Sequence, residues 1–143
     1  MSLSFYLCRT AAPAGPMVTW EDNHALPLGG IDQVKSGIAA LFPGIRWMPI
    51  DVAGNVHWSG TGTNTPGQPY LDLSISTDVM EENGPADQVY FIVGRKMPPS
   101  IMRQLMEGLD LNHVSCPDTG DLIDPYAYSD TSVHYATKAW PPP

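Results

Sequence analysis

Asp87-Gln-Val-Tyr-Phe-Ile-Val-Gly94, Pro98-Pro-Ser-Ile-Met-Arg-Gln-Leu-Met-Glu-Gly-Leu109 and Asn112-His-Val-Ser-Cys116 follow one another with only short breaks between them. The first run is β-branched and aromatic, as a strand buried on both faces would be, and its apolar heart is Val89–Val93. The second places Ile101, Leu105 and Leu109 four residues apart beside Met102 and Met106, which is helical spacing. Its opening Pro98-Pro99 suits a first helical turn, where a missing N–H costs little. The third is short and apolar, and Pro117 closes it. Strand, helix and return strand therefore precede an acidic loop that runs to Pro125.

Working outward, Ser2–Cys8 alternates Leu3, Phe5 and Leu7 with polar partners, the period of a half-buried strand. Met17–Trp20 reads as a short extended piece. Ile31, Val34, Ile38 and Leu41 form one apolar stripe, which predicts a helix over Ile31–Phe42, with Asp32 in its first turn and Pro43-Gly44 as its stop. Gly37 weakens that helix by about 1 kcal/mol relative to Ala, which predicts either close packing there or a modest helix. Ile45–Ile50 contains Pro49, which cannot donate to a ladder and so predicts an interrupted or edge strand. A turn over Asp51–Asn55, a strand over Val56–Ser59 and a Gly/Thr loop over Gly60–Gly67 come next. Leu71, Leu73 and Ile75 alternate with Asp72, Ser74 and Ser76, a strand with one wet face. Thr77–Ala86 has room for a helical turn before Asn83-Gly84-Pro85. The fold class that follows is α+β: an antiparallel sheet of five or six strands with two helices on one face. Residues 1–143 read as one domain whose Pro-rich end, about 138–143, is frayed.

The chain carries fifteen acidic and seven basic residues, a net charge of −8. Such a surface repels nucleic acid and anionic membrane and favours basic partners. No run approaches the ~20 apolar residues of a membrane span. The opening residues lack a basic n-region, so a strand and a cytoplasmic protein are expected there. Cys8 and Cys116 are too few for a disulfide framework and are expected as free, buried thiols.

Candidate chemistry is sparse. His113 and Cys116 stand three apart with no second ligand pair at a finger-like spacing, and nothing basic nearby lowers the thiol pKa. Together with the neighbouring aspartates they define the alternative reading, a small metal-dependent or Cys/His hydrolase. Asp118-Thr-Gly120 matches the aspartic-protease tripeptide, but Pro117 precedes it and Asp121 follows, and the same residues are ordinary turn chemistry. Asp118, Asp121 and Asp124 lack the two-residue spacing and the closing Glu of a calcium loop. Gly60–Gly67 has no Lys-Ser/Thr and opens no helix, so it is no phosphate cradle. No cofactor and no metal are expected.

The acids and aromatics beyond Pro117 are better suited to recognition. Carboxylates pair with Arg or Lys while Tyr supplies an anchor. Asp118, Asp121, Asp124, Tyr126, Tyr128 and Asp130 form the first candidate surface; Asp78, Glu81 and Glu82 form a second.

In size, acidity, opening strand and the ending Leu111-Asn-His-Val-Ser-Cys-Pro-Asp-Thr-Gly-Asp-Leu-Ile-Asp-Pro125, the chain resembles the immunity proteins of bacterial polymorphic and secreted toxin systems. Several such families close on a strand, an Asp-x-Gly turn and an Asp-Pro. The resemblance implies a non-enzymatic cytoplasmic protein that binds a cognate toxin or effector and blocks its active site. It carries over no catalytic residue. The expected partner is a protein with a basic cleft, neither nucleic acid nor membrane.

Overall fold

The computed structural model describes residues 4–11, 14–15, 17–21, 24–52, 55–62, 71–77 and 88–127. Seven strands form one antiparallel sheet: β1 (Ser4–Cys8), β2 (Arg46–Val52), β3 (Asn55–Gly62), β4 (Leu71–Ser76), β5 (Ile92–Arg95), β6 (His113–Cys116) and the two-residue β7 (Asp121–Leu122). Their order across the sheet is β2-β3-β4-β5-β1-β6-β7. Helices α1 (Ile31–Leu41) and α2 (Pro99–Leu109) pack against each other and share one core with one face of the sheet. The α+β expectation therefore holds, with β7 added at the edge.

Alternation along the strands decides which side is buried. Phe5 and Leu7 of β1, Leu71, Leu73 and Ile75 of β4, Ile92 of β5 and Val114 and Cys116 of β6 face the helices. Val34 and Ile38 of α1 and Ile101, Met102 and Leu105 of α2 come down onto them. The helices lock by a reciprocal exchange. Leu109 lies where a Cβ on Gly37 would sit, and Leu41 lies over Gly108. Gly37 is thus the close-packing site that its helix-weakening cost required. Over β2 and β3, the Nζ of Lys35 stands 3.4 Å from the centre of the Trp58 ring and 5.7 Å from that of Trp47. A cation over an indole lets α1 cover two tryptophans without stranding its charge.

α2 ends without a glycine. Asp110 takes the left-handed conformation (φ 56°, ψ 51°). Arg9 donates through Nη2 to the Leu109 carbonyl (2.6 Å) and through Nε to the Asp110 carbonyl (2.9 Å). A guanidinium at this end satisfies orphan carbonyls and opposes the helix dipole.

Several local expectations need correction. Met17–Thr19 is a 3-10 turn, not an extended piece; its Met17 N–H donates to Ser115 Oγ (3.0 Å), which lays the turn against the sheet. The strand expected over Val89–Val93 starts later, at Ile92. Val89 instead exchanges backbone bonds with Leu28 and Gly29. β3 continues to Gly62, into the stretch read as a loop. The acidic loop after Pro117 contains β7 and a 3-10 turn at Pro125–Ala127. Pro49 does lie on the sheet's outermost strand, where a ladder can lose a donor. Beyond Thr77 the turn expected over 77–86, and the frayed end at 138–143, lie outside the described residues.

Candidate functional site

Two surfaces stand out, one expected and one not. The first is the β7 edge. Residues 117–120 make the turn expected for Asp118-Thr-Gly120: the N–H groups of Thr119 and Gly120 both donate to the Cys116 carbonyl, and Gly120 takes φ 79°. Asp118 is exposed at this turn, and its Oδ2 accepts the Ser4 N–H at 2.8 Å. Part of its charge therefore anchors the start of β1. Asp121 lies in β7, opposite Cys116. Asp124 follows the strand, and its Oδ1 accepts the Tyr126 N–H at 3.0 Å, an Asx turn that opens the 3-10 turn.

Tyr126 is 55% exposed, and its hydroxyl lies 3.4 Å from Glu107 Oε1 on α2. Its pKa is held above the ordinary value by desolvation and by the charge and hydrogen bond of Glu107, with Asp124 adding to the rise and Arg103 opposing it. Arg103 donates to the Pro125 carbonyl at 2.7 Å, tying the turn to α2. Glu107, Asp124 and Tyr126 thus collect on one edge, on the side of α2, while the 45% exposed Leu122, register partner of Ser115, points to the other face of the sheet. Glu107 was missed from the sequence because it belongs to α2 and only folding joins it to the turn. Tyr128, Asp130, Asp78, Glu81 and Glu82 lie outside the described residues.

The residues of the hydrolase alternative do not meet. In β6, His113 and Ser115 face away from the helices, whereas Val114 and Cys116 lie in the helix-side core. A spacing of three along a strand puts side chains on opposite faces. His113 is 3% exposed, and its ring lies 5.1 Å from that of Trp20, tilted by 34°. Among the described residues its Nε2 has no hydrogen-bond partner, and burial lowers its pKa. Cys8 is the cross-strand partner of His113, with its thiol pushed up to about 12 by desolvation. That thiol is a poor nucleophile at neutral pH. Among the described residues no group of three His, Cys, Asp or Glu side chains is placed to hold a metal ion.

The second surface is the sheet face turned away from the helices. Trp20 and Phe91 cover one part of it, where Tyr6 meets Phe91 edge-on at 5.9 Å. Beside them is a groove of about 380 Å³ over β1, β5 and β4. Its floor follows the strand register. Ser4 pairs with Arg95, Tyr6 with Val93, Val93 with Ser74, and Ser76 with His57 on β3. Serines at alternate strand positions read simply as a wet face, and nothing in the linear pattern marks the groove.

No family model, curated protein or solved structure matches the chain. Among the described residues, no helix is long and apolar enough to cross a membrane.

Proposed function

We propose that this chain is an acidic protein-binding domain that acts as an immunity protein, docking its β7 edge against a basic surface of a cognate bacterial toxin and blocking the toxin's active site. The observation that carries the reading is the convergence of Glu107 from α2 with Asp124 and Tyr126 from the turn after β7. Carboxylates around an exposed aromatic anchor are the composition of a recognition surface, with charge speeding encounter and apolar contact slowing release. The net charge of −8 adds long-range steering toward a cationic partner. Action in the cytoplasm belongs to the same proposal.

The test starts from affinity capture of the partner with the tagged chain and its identification. Glu107→Gln with Asp124→Asn then removes two charges while keeping the shapes of both side chains. Association should slow about tenfold, its salt dependence should flatten, and protection of cells expressing the captured toxin should fall with it. A partner that binds the double variant with unchanged affinity and unchanged salt dependence would place the interface elsewhere.

A further inference from the structure

The groove on the open sheet face differs in charge from the rest of this acidic chain. Among its described lining residues there is no Asp or Glu, and Arg95 and His57 are the side chains able to carry positive charge. Three other cations are engaged internally, Arg9 on the α2 carbonyls, Lys35 on Trp58 and Arg103 on Pro125, and Arg46 and Lys96 do not line the groove. Arg95 is exposed, and among the described residues its guanidinium has no ion pair or hydrogen bond. Asp72 borders only the smaller hollow of about 110 Å³ on the β4 side of Arg95, and it is not in contact with the guanidinium.

The groove has Arg95 at one end beside its register partner Ser4, and Phe91 and Tyr90 at the other, where Ser76 and His57 also line it; Met17 adds a further apolar wall. Phe91 and Arg95 are four residues apart in extended chain, about 13 Å at the rise of a strand. Tyr6, Val93 and Ser74 floor the middle. A volume of about 380 Å³ falls in the range of small-molecule sites.

We infer that this groove binds a monocarboxylate with an apolar body, its carboxylate on Arg95 and its chain lying along Val93 toward Phe91 and Met17. A planar guanidinium takes a carboxylate in two parallel hydrogen bonds. One unpaired cation, with Asp72 close behind it and the Asp118 carboxylate held on the N–H of its register partner Ser4, suits a single negative charge better than a phosphate dianion. The carboxylate can belong to a free small acid or to the chain end of a polypeptide. The site lies on a different face from the β7 edge and does not depend on the toxin-binding reading.

Octanoate titrated into the ¹⁵N-labelled chain should give saturable amide shifts centred on Tyr6, Ser74, Val93 and Arg95. Octan-1-ol, with the same body and no charge, should bind about tenfold more weakly, and Arg95→Gln should bring octanoate down to the same level. Ser74→Trp, which fills the middle of the groove and leaves Arg95 in place, should abolish binding in a chain whose amide spectrum stays dispersed. An apolar octapeptide with a free C-terminus and its amidated twin separate the two sources. A free-acid peptide tighter than octanoate assigns the site to a chain end; octanoate tighter than the peptide assigns it to small acids. Shifts that spread over the surface without saturating, equal affinity for octanoate and octanol, or undiminished octanoate binding by Arg95→Gln would each overturn the site. Octanoate binding and capture of the toxin use different residues, so either can fail while the other stands.

Discussion

The side-chain amide of Asn112 makes both backbone hydrogen bonds of Thr10: Oδ1 accepts its N–H at 2.8 Å and Nδ2 donates to its carbonyl at 2.9 Å. The Asn112 N–H donates to the Cys8 carbonyl as well. One residue thus extends the β1–β6 ladder beyond the last strand pair, with an amide standing in for a peptide group. Asn112→Asp keeps the acceptor but sets a second acceptor against the Thr10 carbonyl. It should cost about 1–3 kcal/mol, and Asn112→Ala somewhat less. Urea denaturation should show lower midpoints with unchanged slopes.

The glycine–leucine exchange between the helices gives opposite forecasts for two similar changes. Alanine in place of either glycine gains about 1 kcal/mol of helix propensity. At Gly37 the new methyl meets a single branch atom of Leu109 at 2.9 Å, whereas at Gly108 it meets both branch atoms of Leu41 at 2.5 Å. Gly37→Ala should therefore be within about 0.5 kcal/mol of neutral, while Gly108→Ala should be destabilising by about 1–2 kcal/mol. Thermal unfolding of the two variants side by side checks the ordering.

His113 makes stability fall with acidification. Burial holds its folded-state pKa below the ordinary 6.5, so the unfolded chain takes up the proton first. Above 6.5 both states are neutral and the residue adds no pH dependence; as pH drops below 6.5, unfolding gains a proton and ΔG of unfolding declines. The decline levels off below the folded-state value. His113→Leu should lie within about 1 kcal/mol of the parent at pH 7.5, since it removes an unpartnered Nε2 along with the ring stacking. The variant should lose part of the parent's slope between pH 6.5 and 5, measured by denaturation at stepped pH.

Cys8 and Cys116 should resist thiol reagents in the native state. Both are buried and free, and Cys8 is further disarmed by a thiol pKa of about 12. They also face opposite sides of the sheet, Cys8 with Tyr90 and Ala25, Cys116 in the helix-side core. A colorimetric thiol assay at pH 8 should find neither group reacting rapidly in the folded chain and both after denaturation. A disulfide between them in native protein would contradict the strand geometry.

Periodicity made most of the framework legible. The stripe Ile31, Val34, Ile38, Leu41 became α1, and Leu71, Leu73, Ile75 became the buried side of β4. Pro49 correctly marked an edge strand, because a missing donor has the same consequence wherever the partner strand lies. Val89–Phe91 misled because buried apolar residues look alike in a strand and in a segment bonded to a passing linker. At the acidic end, adjacency in sequence suggested one cluster of aspartates. Folding gave Asp118 a backbone to hold and brought Glu107 in from a helix. Arg95 could not be singled out at all. Its distinction is an unpaired guanidinium standing at the end of a groove, and that placement is fixed by strand register.

The position of β1 sets a timetable for synthesis. Leu7 pairs with Ile92 on one side and Val114 on the other, so the centre of the sheet is laid down early and enclosed late. The β2-β3-β4 meander can zip locally while the first strand waits, one row of its peptide groups unmatched until β5 has been made and the other until α2 and β6 follow. Such long-range closure slows folding, and it leaves an adhesive strand edge open until β6 arrives. Any cut that removes β6 leaves β1 with one of its two neighbours.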